Sequence, residues 1–182
     1  MILSTAEASL FFRLMLPLQF FVNEKLGVLP QIKSFEEYCQ VSMREKFDVR
    51  NALFADVGLI DDFIDENPQD IPMKHLTIVS RWKKFCRGDF YIERYLKDCA
   101  VFISDETEVY AVWGLTESLT EYFPKYALPV RLESVVLLPF QTKIVTDGFF
   151  LPQRVISGGE LKSELREVYA QAKRKDKIVK SF

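Results

Sequence analysis

The apolar positions change period once along the chain, and that change organises everything else. From the N-terminus to about residue 88 they recur at helical spacing. Four starts share a serine followed three residues later by glutamate: Ser4/Glu7, Ser34/Glu37, Ser118/Glu121 and Ser157/Glu160. In that pairing each side chain can accept from an otherwise orphaned backbone N–H of the other. The first helix is predicted from about Ser4 to Leu26, ending at Gly27, with Pro17 inside it. A second is predicted to begin near Phe35 and a third near Arg50. In the third, Leu53, Val57, Ile60 and Ile64 form one face until Asn67-Pro68. Asp70 is expected to cap a further helix, with Pro72 in its first turn. That helix carries Leu76, Val79, Trp82 and Cys86 inward as far as Gly88.

Beyond Gly88 the pattern is that of strands. Phe90 to Leu96, Ala100 to Ser104 and Val109 to Trp113 read as short strands, and a brief helix follows near Ser118 to Tyr122. Val130 to Phe140 and Lys143 to Phe150 form an expected hairpin across Gln141-Thr142, and Val155-Ile156 a last short strand. Leu161, Leu165, Val168 and Ala172 give the stripe of a closing helix. The expected fold is therefore α+β. A helical half packs on an antiparallel sheet or small barrel of five or six strands, closed by a C-terminal helix. One compact unit is expected over 1–182, with a helical lobe 1–88, a β-rich lobe 89–157, and a helix with a basic tail over 158–182. The first helix is apolar around most of its circumference, so neither lobe is expected to fold alone.

Composition refines this picture in two ways. Aromatic residues make up 14% of the chain, including 16 Phe, enough for a core and for rings at a partner surface. The net charge is -2, distributed as -1 over 1–88, -4 over 89–157 and +3 over 158–182. A global pull toward nucleic acid or anionic membrane is thus excluded, and a local one is not. The apolar run Leu10 to Val22 is interrupted by Arg13, Pro17 and Gln19, and no basic residue precedes it. It reads as neither a membrane span nor a signal peptide. Three scattered cysteines, Cys39, Cys86 and Cys99, suit a reducing compartment, so a cytoplasmic protein is expected.

Several segments resemble a family of uncharacterised bacterial proteins. They are Phe-Ile-Asp-Glu-Asn-Pro at 63–68, WKKFCRGDFYIERYLKDCAVFI at 82–103, VLLPFQTKIVTDGFF at 136–150 and GGELKSELREVYAQAKRKDKIVKS at 158–181. The resemblance implies one continuous unit and brings no activity with it.

Candidate chemistry is sparse. His75 is the sole histidine, so any triad must use it, and it reads as a solvated or capping residue. The cysteines have no metal spacing and read as small core hydrophobes. Ser157-Gly158-Gly159-Glu160 could offer free N–H groups to a phosphate, but the fuller phosphate-loop motifs are absent. Two charged groups stand out. Asp61, Asp62, Asp65 and Glu66 form an acidic cluster with i, i+4 pairs, predicted on the wet side of a helix. Lys173, Arg174, Lys175, Lys177 and Lys180 form a basic tail.

Three functions follow, in order of expectation. The first is a non-catalytic adaptor or inhibitor that meets a protein partner through the acidic cluster. One subtype is a phage- or mobile-element-encoded inhibitor of a nucleic-acid-handling enzyme such as a CRISPR nuclease. The second is a nucleic-acid-binding protein using the basic tail and the small barrel. The third is a metal-dependent hydrolase or nuclease with Asp61, Asp65 or Asp147 as ligands, Gln141-Thr142-Lys143 being the nearest approach to a nuclease strand motif. No catalytic residue, cofactor or resident metal is expected for the first reading.

Overall fold

A computed structural model describes residues 2–153 and 159–182. Its contacts divide the chain into two compact units, Ser9–Lys83 on the one hand and Met1–Ala8 with Lys84–Phe182 on the other. The fold is α+β.

Helix α1 spans Thr5–Leu26, ended by Gly27 in the left-handed region at φ 63°. At its start the Ser4 N–H donates to Glu7 Oε2 at 2.9 Å, and the Glu7 N–H donates to Ser4 Oγ at 3.3 Å. The expected box is therefore formed, as is the one at Ser34/Glu37, which opens α2 (Phe35–Gln40). Within the helical unit, aromatic edges meet α1: Phe11 on Trp82 at 5.5 Å, Phe20 on Tyr38 at 5.9 Å and Phe21 on Phe63 at 5.5 Å. The buried Asn23 side chain accepts from the Leu29 N–H at 2.6 Å and donates to the Leu29 carbonyl, fixing the turn after α1.

The third predicted helix is in fact two, α3 (Met43–Ala55) and α4 (Gly58–Glu66). A third Ser/Glu box, Ser42 with Glu45, starts α3. The break at Asp56-Val57 is invisible to periodicity because Leu53 and Ile60 keep one phase across it and are both buried. In α4 the inward residues are Leu59, Ile60 and Phe63. Asn67 ends α4 in the left-handed region, as expected, and its side chain bonds both polar backbone groups of Ile71. Helix α5 (Met73–Arg81) has Pro72 at its cap position and no side-chain cap, so Asp70 does not fill the role expected of it.

After a 3-10 turn at Trp82–Lys84, β1 (Cys86–Tyr95) begins inside the span expected to be helical. Pairing decides this: Cys86, Arg87 and Gly88 face Leu137, Val136 and Val135 of β4 (Val130–Phe140). Strands β2 (Ala100–Ser104) and β3 (Val109–Trp113) follow as a meander. Helix α6 (Leu119–Tyr122) is capped by Ser118 accepting from the Thr120 N–H rather than through a box with Glu121. Strand β5 (Lys143–Thr146) is shorter than expected and returns from β4 across Gln141, at φ 55°. Strand β6 (Leu151–Gln153) adds to the other end of β4. The expected strand at Val155-Ile156 and the Ser157 cap lie outside the described residues.

The strands run β1-β2-β3-β5-β4-β6, with β4 also paired to β1. Five of them thus follow one another in a ring. Strands cannot alternate direction around an odd ring, so one neighbouring pair must be parallel. Here it is β3 with β5, joined at Val112↔Ile144 and Trp113↔Val145. The sheet is therefore mixed, where an antiparallel one was expected.

Alternation sorts the side chains of the ring. Phe90, Ile92, Phe102, Val112, Leu132 and Ile144 belong to one core cluster. Val101, Ile103 and Val109 belong to a second cluster, with Leu165 and Tyr169 of α7 (Gly159–Arg174). Covering of that second face by α7 explains why β2 is buried at nearly every position. Past Asp176, in the left-handed region, the chain returns to β3. There the Val179 N–H donates to the Val109 carbonyl at 2.8 Å, and the Ala111 N–H donates to the Val179 carbonyl.

Candidate functional site: a cationic groove on the β-rich unit

The acidic cluster lies where expected, all four carboxylates exposed on α4 opposite its buried residues. Two of them are engaged: Lys83 Nζ reaches Asp61 Oδ1 at 2.6 Å and Lys25 Nζ reaches Glu66 Oε1 at 2.6 Å. The five cations of the tail are exposed but not held as one patch. Arg174 pairs with Glu167 at 2.9 Å. Lys175 and Lys177 line a groove shared with Glu106 and Glu108, and Lys180 follows the return to β3.

His75 is half-buried and lines a mainly apolar groove of the helical unit with Leu10, Leu14, Phe35 and Ile71. The three cysteines are free thiols. Burial pushes the Cys86 and Cys99 thiols up, away from the reactive thiolate. Asp147 is buried and accepts from the Phe149 N–H at 3.0 Å, as a turn residue does. Among the described residues, no three His, Cys, Asp or Glu side chains come together as a metal-binding group. Among the same residues, no helix is long and apolar enough to cross a membrane.

The arrangement with the most chemical character was not anticipated. Glu93, Arg94 and Tyr95 at the end of β1, Lys125, Leu128 and Pro129 before β4, and Lys162, Leu165 and Arg166 of α7 line a groove of about 570 Å³. Each wall has a local cause. In β1 the register skips a residue, Ile92 facing Phe102 and Arg94 facing Val101, so Glu93 is the extra residue of a bulge. Bulges re-aim side chains in this way. The Glu93 side chain is only 6% exposed and takes both Nε and Nη2 of Arg94, the latter at 2.9 Å. The Arg94 guanidinium also lies over the Tyr169 ring at 4.3 Å, so it is clamped between strand and helix.

The second wall is tied on by Tyr95. Its hydroxyl reaches the Leu119 carbonyl at 3.0 Å and the Phe123 carbonyl at 2.7 Å, fastening α6 to the end of β1. Burial pushes the Tyr95 hydroxyl up, which keeps it a donor. On α7, Lys162 and Arg166 are one turn apart on either side of the buried Leu165, whose packing on β2 and β3 aims them at the groove.

Four cations thus face one carboxylate, and that carboxylate is already paired to Arg94. Lys125, Lys162 and Arg166 are exposed, and among the described residues none of them forms an ion pair. Glu160, Glu164 and Glu167 of the same helix do not line the groove. Beside it stands an aromatic group. Tyr126, next to Lys125, is 91% exposed, and Tyr122 is 53% exposed with its ring 6.2 Å from that of Phe150.

Sequence reasoning missed these residues because they come from three separate stretches. The available signals were local and faint: the Lys125-Tyr126 pair, and two cations at i, i+4 flanking a stripe leucine. No protein-family model, curated protein or solved structure matches this chain.

Proposed function

We propose that this is a non-catalytic binding protein that receives an anionic partner in the groove of its β-rich unit. One observation carries the reading: Lys125, Lys162 and Arg166 converge on a concave surface with no carboxylate left to neutralise them. Like charges gathered without partners repel one another, and an incoming polyanion relieves that repulsion while releasing its own counterions. Arg94, held by Glu93 and Tyr169, adds a fixed donor that loses little freedom on binding.

The test is calorimetric titration of the full chain with inorganic polyphosphate and with poly-glutamate at low salt. Binding that weakens steeply with added salt is expected. It should fall at least about tenfold in the triple variant Lys125→Ala, Lys162→Ala, Arg166→Ala, since each charged contact contributes on the order of 1 kcal/mol. Absence of binding, or equal binding by the triple variant, overturns the reading.

The acidic face of α4 supports a second reading, a contact with a basic protein surface. Asp62 and Asp65 are exposed there, and neither is the acceptor in the two ion pairs that engage their neighbours. Charge reversal of Asp61, Asp62, Asp65 and Glu66 to Lys, which reports on this face alone, should abolish capture of such a partner. Unchanged capture at matched folding removes the face from the account.

A further inference from the structure

We infer that the partner held by the groove is a single-stranded nucleic acid, its phosphates on the cations and its bases on the tyrosines beside them. The inference rests on the anion-binding reading and narrows it. Charge alone fits any polyanion, and the aromatic group is what discriminates among them. Tyr126 follows Lys125 directly in a 3-10 turn (Lys125–Ala127) and presents nearly its whole ring to solvent. Tyr122 lies one turn of chain earlier, half-exposed, its ring edge-on to Phe150. Both belong to the stretch that the Tyr95 hydroxyl fastens to the groove wall, so cations and rings share one rigid support.

Each possible occupant makes a different demand on such a surface. An acidic peptide needs the cations and has no flat face to set on a tyrosine. A duplex keeps its bases stacked inside and offers mainly phosphates to a surface of this kind. An unpaired strand exposes phosphates and base faces together, and a cationic groove flanked by aromatic rings is the arrangement that reads both. Stacking tolerates any base, so no sequence preference is required of the partner. The groove also differs from the basic tail, where Lys175 and Lys177 look across at Glu106 and Glu108.

Fluorescence anisotropy on the full chain provides the test, with three labelled probes at one low salt concentration. They are an oligo-dT of about 15 nucleotides, near the upper site size of a single-strand groove, a hairpin duplex with as many phosphates, and a poly-glutamate peptide of equal charge. The single strand is expected to bind tightest. Tyr126→Ala should weaken it about tenfold and Tyr126→Phe hardly at all, because the ring and not the hydroxyl is used. Lys162→Gln and Arg166→Gln should each lower the salt dependence by about 0.7 log units per log unit of salt. Tyr126 is exposed, so its variants keep the wild-type melting curve, which is checked alongside. If the duplex or the peptide binds as tightly as the single strand, or Tyr126→Ala leaves affinity unchanged, the single-strand inference falls while anion binding stands. If none of the three probes binds, both fall.

Discussion

Lys143 Nζ, 2.6 Å from Glu7 Oε1, and the Ser4 N–H together hold the Glu7 carboxyl well below its ordinary 4.5, at about 2. Because the folded value is depressed, the stabilisation is fully present above 4.5 and is lost as pH falls through about 2. Glu7→Gln should therefore cost about 1 kcal/mol at neutral pH, with the difference from wild type shrinking on acidification. Urea unfolding at stepped pH measures this, and a pH-independent difference contradicts it. Arg94 is the second residue whose partner sets its value. Its removal leaves the nearly buried Glu93 carboxylate uncompensated, so Arg94→Ala should destabilise by about 1–3 kcal/mol. Adding Glu93→Gln should recover most of that loss. A cost within about 0.5 kcal/mol, typical of a plain surface change, contradicts the clamp.

At the scale of elements, what the sequence makes legible is what is settled locally. Ser4, Gly27, Ser34 and Asn67 mark helix ends through bonds that reach only a few residues, and each lies where the pattern puts it. The Ser42-Met43-Arg44-Glu45 box was equally local and was passed over, because the stripe through Leu53 suggested a later start. Ser42→Ala should cost about 1 kcal/mol in thermal or urea unfolding, and a neutral result would show that α3 does not depend on its cap. Three features were not legible. The start of β1 at Cys86 depends on β4, some fifty residues away, which overrides a plausible helical period. The parallel β3–β5 pair follows from ring closure, a property of no single segment. The shortening of β5 leaves Asp147-Gly148 to a turn, with Gly148 at φ 86° and its N–H donating to Thr146 Oγ1.

For the whole molecule, the β-rich unit draws on both ends of the chain. Ile2 bridges to Gly114 and Glu7 pairs with Lys143, while β1 starts before residue 89. A fragment 89–182 lacks Cys86–Gly88, the residues paired with Val135–Leu137, as well as Ile2–Ala8. It should show no cooperative unfolding transition and little amide protection. Independent sharp transitions for 1–88 and 89–182 would contradict the expectation that neither stands alone. The groove belongs to this scale too: a bulge, a 3-10 turn and two turns of α7 supply its charges from residues 93 to 166. Sequence reasoning found the charge runs that are contiguous, on α4 and in the tail. It could not find one assembled by the ring.

Backbone amide chemical-shift mapping of the full chain during titration with a short oligo-dT tests that assembled site most directly. The account predicts that the largest changes fall together on Glu93–Tyr95, Lys125–Leu128 and Lys162–Arg166, with Tyr122 and Tyr126 at their edge. Changes centred on Lys173–Lys180 or on Asp61–Glu66, with the groove unmoved, would contradict it.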